Sequence, residues 1–345
     1  MFPGIIHTRD IRKDPRKNTE EIKRNHLESI MKILVIGAGV IGSNLAADLY
    51  ASEKDVTILA RGEWADTLEK NGLIIDPVFS LCKKKYFFPI IRELKKDDIY
   101  DVIFVVMRYT QIGGVIPILM ENGSKNIVFV GNNLSPETFV EKLSGKNVLF
   151  GFGMAAGHRE KDRVVSISLH KITIGQLKDA PSNEQLIRDI FRGTKIKASY
   201  QPNMGDYLLC HAAFVIPIGF ACYACGGNLK RIKNDKEYLN RIIDANIEGY
   251  SAIENAGHEI LPDPDKDYHS KKYRRICFTV YKIMCATVIG KICASDHALN
   301  AVEEMQAMNE GLRRFFDAHQ ADYPVYRELE EDAGKYIKRS REVAE

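Results

Sequence analysis

The sequence predicts an α/β protein in two parts: a doubly wound, mostly parallel sheet over residues 31–200, then an all-helical domain over residues 201–345. Three observations lead there. Short β-branched apolar runs alternate with helical stretches through the first two hundred residues, the pattern of buried parallel strands joined by crossover helices. Beyond Asp206 the strand signals stop, and four long helical runs follow. A chain of 345 residues also exceeds what one hydrophobic core usually organises.

Residues 1–30 read as an N-terminal extension. Arg9 to Arg24 is polar, mixes charge signs, contains Pro15 and has no sustained apolar face, so a poorly ordered segment or a short surface helix is expected. It lacks the apolar central region of a secretory signal. Met31 opens the domain proper.

Lys32 to Gly62 organises everything after it. Lys32-Ile-Leu-Val-Ile-Gly37 is a buried strand, Gly37-Ala38-Gly39-Val40-Ile41-Gly42 follows at once, Ser43 to Ser52 is helical, and Val56 to Ala60 is a second strand. A G-x-G-x-x-G alone is weak evidence, but here it lies between strand and helix, where its mechanism needs it. The first glycine makes the tight turn and the second lets backbone approach a pyrophosphate. The third packs helix on strand, with phosphates at the helix N-terminus. This is the Rossmann arrangement, and all six residues are candidate cofactor contacts.

The end of the second strand indicates which dinucleotide. NAD sites usually place Asp or Glu about 20 residues past the glycines to hold the ribose 2′-hydroxyl. This chain has Leu59-Ala60-Arg61-Gly62. A guanidinium cannot accept a hydroxyl proton but matches a 2′-phosphate. NADP(H) is therefore expected, while nearby Glu63 keeps NAD(H) open.

Trp64 to Lys70 reads as a short helix, and Leu73-Ile-Ile75 and Tyr86-Phe-Phe88 as strands of a side excursion. Val102 to Val106 is another buried strand. Met107 and Arg108 lie at its carboxyl end, where ligands bind in open α/β sheets. A short helix is expected over Gly113 to Met120. Asn126 to Gly131 is a strand ending in Asn132, a candidate ligand contact or plain turn chemistry. Ser135-Pro136-Glu137 starts a helix.

Asn147 to Phe152 is expected as a strand, Val164–Leu169 and Lys171–Gly175 as an antiparallel pair at the sheet edge, Asn183–Phe191 as a helix, and Lys195–Ser199 as the last strand. Gln201 to Gly205 is a joint rich in turn formers. The helical runs are Tyr207–Ala224, Lys236–Ala256, Lys272–Cys293 and Asn300–Ala318, with Pro217 and Gly219 expected to kink or divide the first. An all-helical domain with no phosphate loop of its own should supply substrate groups to a cleft between the domains.

Net charge is +3 from 49 basic and 46 acidic residues, with no basic stripe, so no nucleic-acid partner is expected. No run of about 18 apolar residues that could span a membrane is expected. Its seven cysteines are odd in number and sit in apolar contexts, which points to buried thiols and a cytoplasmic protein. Cys222 and Cys225 have redox-motif spacing but lie inside an apolar helical segment. No metal site is expected, because His and Cys do not cluster at ligand spacing.

With these residues in place, the chain from about Met31 to Pro324 resembles the ketopantoate reductase (2-dehydropantoate 2-reductase) family. The resemblance implies a Rossmann domain, a helical domain, NADPH as reductant, a 2-oxo acid as substrate and a homodimer. Gly37 to Gly42 is similar to the family's glycine loop, and Arg61 falls where its NADPH-selecting arginine lies. Met107-Arg108-Tyr109-Thr110-Gln111 resembles a segment that usually carries a lysine, here Arg108. Gly131-Asn132-Asn133 looks like its Asn-Gly motif near nicotinamide and substrate. Glu304 is the closer match, within Glu303–Asn309, to its substrate-binding glutamate.

One departure bears on chemistry. The resemblance implies a catalytic lysine on the first helix of the second domain, followed by asparagines. Leu208 or Leu209 stands in its place here, with Ala212 and Ile216 at the asparagine positions. His211 is the one imidazole in that helix and is the candidate substitute acid, while Asp206 reads as an N-cap. Asp296 and His297 cannot be separated from surface polar residues. The expected activity is reduction of a 2-oxo acid or related small ketone by NADP(H), with His211, Glu304 and Asn132 as catalytic residues. Two alternatives stand: a cofactor-binding sensor or scaffold without turnover, and an opine- or hydroxyacid-type dehydrogenase.

Overall fold

The middle of the sheet is built from runs apolar enough to be covered on both faces. In the computed structural model, which describes residues 30–80 and 82–342 (side chains through residue 335), these are β1 (Lys32–Ile36), β2 (Asp55–Leu59), β6 (Val102–Val105) and β7 (Asn126–Val130). β1, β2 and β7 bury every residue but the first or its equivalent at the edge, and β6 buries all four. The expected extension over residues 1–30 lies outside the described residues, apart from Ile30.

Three further strands, β3 (Leu73–Pro77), β4 (Lys84–Tyr86) and β5 (Ile90–Ile91), come from the excursion after β2, and β8 (Asn147–Arg159), β9 (Val164–Gly175) and β10 (Lys197–Tyr200) follow β7. Among the described residues the sheet runs β4-β3-β9-β8-β7-β6-β1-β2-β5, with β10 also on β9. From β5 to β8 every pairing is parallel, and the chain order reverses direction between β1 and β6. That reversal opens a crevice beyond the carboxyl ends of the strands. The helices joining the strands are α1 (Val40–Tyr50), α2 (Gly62–Asn71), α3 (Ile116–Glu121), α4 (Pro136–Lys142) and α5 (Glu184–Phe191).

One expectation about this half is corrected. Val164–Leu169 and Lys171–Gly175 do not form an edge hairpin with one another. They are a single strand, β9, antiparallel to a β8 that continues past Phe152 to Arg159, with β3 and β10 along its other side. The apparent turn is a bulge. The register shifts between Gly153 and Ala155, opposite a His170 with φ of 48° whose N–H donates to Ser168 Oγ. A bulge absorbs an extra residue without ending the strand.

The second half is helical: α6 (Met204–Ala224), α7 (Lys236–Asn255), α8 (Lys271–Ala286), α9 (Asp296–Asn300), α10 (Val302–Ala318) and α11 (Pro324–Glu342). Tyr250, Tyr281, Phe316 and Tyr326 are fully buried at its centre, each worth roughly 1.5–3 kcal/mol of transfer free energy. The first turn of α6 belongs to the other half, because Met204 and Leu208 pack with Ile36, Val105 and Phe150 under the sheet.

Pro217 does not divide α6, which is one helix from Met204 to Ala224. A proline at this position cannot bond the carbonyl four residues earlier. That carbonyl, Ala213 O, accepts instead from Asn246 Nδ2 at 3.0 Å, as does Phe214 O at 3.0 Å. Tyr281 Oη donates to Asn246 Oδ1 at 2.6 Å, fixing the amide. α6 is also long and apolar enough to cross a membrane, with mean hydropathy 1.7, contrary to the expectation that no such run exists. About two thirds of that window (67%) is buried inside the fold, as befits the central helix of a domain.

The run expected as one helix over Lys272–Cys293 breaks at Thr287. The chain bends 86° there into Val288–Asn300, which passes through a π-helical segment, Lys291–Ser295, before α9. Gly290 permits the fold-back, since a Cβ there would lie 2.0 Å from Met284 O.

Candidate functional site

Gly37 ends β1 with φ of +103°, and a Cβ on it would stand 2.2 Å from Val106 O. A Cβ on Gly42 would stand 2.0 Å from Gly37 O. These contacts draw α1 against the carboxyl ends of β1 and β6, and only glycine tolerates them. Gly39 differs: it is exposed, and a Cβ there would meet nothing within 4 Å. It is the N-cap of α1, with no side-chain cap and no acidic residue in the first turn. The open backbone and uncapped N–H groups fit the pyrophosphate of a dinucleotide.

Arg61 is the exposed N-cap of α2, just beyond β2, and Glu63 lies in the same first turn. Trp64, also in that turn, donates from Nε1 to Ala38 O at 3.0 Å, fastening α2 to the glycine loop. Arg159 at the end of β8 stacks its guanidinium 4.9 Å from the Trp64 ring. It brings a second cation to the turn that Arg61 caps. Nothing local in the sequence marks Trp64 or Arg159 as site residues, because only the fold brings the end of a long strand to α2.

Met107 lies between the glycine loop and the end of β7: Gly37 approaches its side chain, and Gly131 approaches its carbonyl. Arg108 is exposed and donates from Nη2 to Asn300 O at 2.7 Å, and Tyr109 N–H donates to Glu304 Oε1 at 3.1 Å. Two consecutive residues after β6 thereby join the helical half. Glu304 is 4% exposed in the first turn of α10. Asn132, at the end of β7, is buried, and its Oδ1 has no hydrogen-bond partner among the described residues. A buried amide oxygen without a donor costs about 1–3 kcal/mol, and a ligand N–H in the crevice would satisfy it.

His211 is half-buried on α6, with its ring centroid 3.9 Å from that of Phe152 on β8. Burial first, then the nearby His297, pushes its pKa down to about 4. It is therefore a neutral imidazole near neutral pH, not the imidazolium expected of a substitute acid. His297, which the sequence did not separate from the surface, lies on α9, a helix that packs on α6 and β8. Its pKa is lowered, by burial first and by Arg108 as well, with Glu304 offsetting only part of the fall.

Leu208 lies under the sheet and Leu209 is half-buried against the helical core, which also takes in Ala212 and Ile216. Asp206 is buried at the start of α6, but it does not cap the helix. Asn203 caps it, and Asp206 accepts from Glu259 N at 2.8 Å and pairs with His258 Nδ1 at 2.7 Å. These bonds outweigh the burial penalty and hold its carboxyl below the usual range. Cys222 and Cys225 are buried free thiols, with burial pushing Cys222 up to about 12.

Residues 33–179 match the family described as ketopantoate reductase PanE/ApbA. No curated protein matches the chain by sequence. Similar solved structures include a D-mandelate dehydrogenase described with NADH and anilino(oxo)acetate, at 15% identity, TM-score 0.72, and coverage of 90% of this chain and 99% of that one. A 2-dehydropantoate 2-reductase from Geobacter metallireducens GS-15 has 14% identity and TM-score 0.72, over 88% and 99% of the two chains. A dimeric ketopantoate reductase from Staphylococcus aureus has 16% identity and TM-score 0.65, over 90% and 99%. At these identities the likeness establishes the fold: a Rossmann-like sheet with a helical second part.

Proposed function

We propose, from the match of residues 33–179 to the ketopantoate reductase PanE/ApbA family, that the chain is an NADP(H)-dependent oxidoreductase that reduces a 2-oxo acid or a related small ketone. The observation that carries this reading is the convergence of four features on one crevice. These are the open backbone at Gly39, the Arg61 cap, the orphan Asn132 oxygen, and the Arg108–Glu304 side of the helical half.

Gly37 to Gly42 would hold the pyrophosphate, Arg61 the 2′-phosphate, and Met107, Arg108 and Asn132 the nicotinamide end. When bound, a reduced nicotinamide supplies a hydride at its C4. The chain does the rest. Asn132 Oδ1 would accept a carboxamide N–H, Arg108 would attract a substrate carboxylate, and Glu304, held by Tyr109 N–H, would orient the hydroxyl of substrate or product. His211 walls the cleft as a neutral imidazole. Leucine in place of a lysine at 208 or 209 argues that ketopantoate is not the physiological substrate. The Staphylococcus aureus structure is described as dimeric, and a cytoplasmic homodimer is the assembly we propose here.

Titration of the full chain with NADPH and NADH, read by nucleotide fluorescence, tests the cofactor assignment. NADPH is expected to bind at least about 10-fold more tightly, since one charge-assisted contact contributes about 1.5–3 kcal/mol. Equal affinity for the two would remove Arg61 as the selector, and no binding of either would overturn the glycine-loop site.

A further inference from the structure

We propose that Arg159 is a second selector for the cofactor, binding the 2′-phosphate of NADP(H) together with Arg61 from a platform that Trp64 provides. The proposal rests on the dinucleotide site described above and adds a residue to it.

Three contacts fix where the Arg159 guanidinium stands. It lies over the Trp64 ring, 4.9 Å from the centroid. Trp64 Nε1 donates to Ala38 O at 3.0 Å, so the ring is fastened to the glycine loop between Gly37 and Gly39. Trp64 is also the third residue of the helix that Arg61 caps. An N-cap residue and the third helical residue are neighbours, the relation that a capping box uses. The indole thus touches the phosphate loop with one edge, adjoins the Arg61 cap, and carries the second guanidinium on its face.

The strand that brings Arg159 there is anchored on the same unit. Past Gly151, β8 is paired with β9 alone, as far as Arg159. Gly157 on this arm has φ of +151°, and a Cβ there would lie 2.0 Å from Val165 O. Its partner across the ladder, Ser166, is bonded to α1, where Asn44 Nδ2 donates to Ser166 Oγ at 3.1 Å. The arm is therefore tied to the helix behind the glycine loop two residues before Arg159.

Charge decides what this pair of arginines takes. The carboxylates near the arm are engaged elsewhere. Glu160 and Asp162 face Arg163 at 2.5 and 3.6 Å, and Asp76 faces Lys83 at 3.2 Å. Among the described residues neither Arg61 nor Arg159 forms an ion pair, and Glu63, in the first turn of α2, pairs with neither. Both guanidinium groups are exposed, and they offer donors but no acceptor. A ribose hydroxyl would find nothing to accept its proton. A phosphate dianion takes the N–H forks of both and relieves the repulsion between them. Stacking on the indole leaves the edge of the Arg159 fork free to donate, with less side-chain freedom to lose on binding.

NADPH and NADH differ only in the 2′-phosphate, and calorimetric titration of both into the full chain and its variants tests the proposal. Arg159→Gln should weaken NADPH at least about 10-fold, the loss of one charge-assisted contact, and leave NADH within about 3-fold. Arg159→Lys should recover part of the loss, because the charge is kept while the stacked fork is not. Trp64 is the only tryptophan in the chain, so its emission reports on this turn alone. 2′,5′-ADP, which has no nicotinamide to absorb that emission, should change it on binding to the unsubstituted protein.

Equal losses for NADPH and NADH in Arg159→Gln would make Arg159 an adenine platform or a brace for Trp64, and would overturn the proposal. So would undiminished NADPH binding in that variant, or 2′,5′-ADP binding that leaves Trp64 emission unchanged. Failure of the unsubstituted protein to bind any of the three nucleotides would strike the dinucleotide site itself, and the proposal with it.

Discussion

Arg61 concentrates the cofactor question in one side chain. It caps α2 in the open, directly past β2, with Glu63 in the same turn and the Arg159–Trp64 stack beside it. Removing one charge-assisted partner costs about 1.5–3 kcal/mol. Arg61→Ala should therefore weaken NADPH roughly 10- to 100-fold while leaving NADH within about 3-fold. Parallel fluorescence titrations check this, and equal losses for both nucleotides would mean the arginine grips something other than the 2′-phosphate. Arg61 was legible because its signal is local: a residue type at a fixed distance from a glycine loop. Arg159 was not, because it reaches the Arg61 turn from the far end of a long strand.

At the scale of elements, α6 and β9 show where pattern reading fails. Pro217 reads as a break because proline usually costs a helix a hydrogen bond and a clash. The helix survives because Asn246, on α7, supplies the missing donor to Ala213 O and Phe214 O, and Tyr281 holds it in place. Asn246→Ala should destabilise the fold by about 2–4 kcal/mol, since it strands buried acceptors and a buried hydroxyl. In a Pro217→Ala background the cost should fall by about 1 kcal/mol, because the alanine's N–H can take over Ala213 O. A double-mutant cycle by urea unfolding measures this, and strict additivity would mean the amide acts independently of the proline. In β9, a bulge at His170 imitated a turn. Local residue types suggest breaks, while tertiary partners decide whether they occur.

For the whole molecule, the Rossmann-like half and the helical half were legible as classes, because strand and helix periodicities segregate along the chain. Their closure was not, since it depends on helix register. Closure determines protonation as well. His211 takes up its proton only near about 4 when folded, against an ordinary value of 6.5. Between those values the unfolded chain holds more protons, so stability falls as pH drops through that window. Asp206 acts lower down: its folded pKa is depressed, so its contribution is full above about 3.9 and is lost as pH falls through the folded value.

His211→Phe should accordingly flatten the loss of stability between pH 6.5 and about 4 by on the order of 1–3 kcal/mol, leaving the steeper fall below it. Urea midpoints measured across pH test this, and an unchanged slope would place the ring in water.

Hydride transfer to a 2-oxo acid is the activity proposed for this chain, and the most direct measurement follows the transferred hydrogen. NADPH carrying deuterium at C4 is incubated with the full chain and a panel of 2-oxo acids, ketopantoate among them, and the products are read by mass spectrometry. The predicted result is one equivalent of C2-deuterated 2-hydroxy acid per nucleotide oxidised with at least one panel member. NADPH bound tightly while none of the panel yields deuterated product would contradict the account and leave a nucleotide-binding protein without this chemistry.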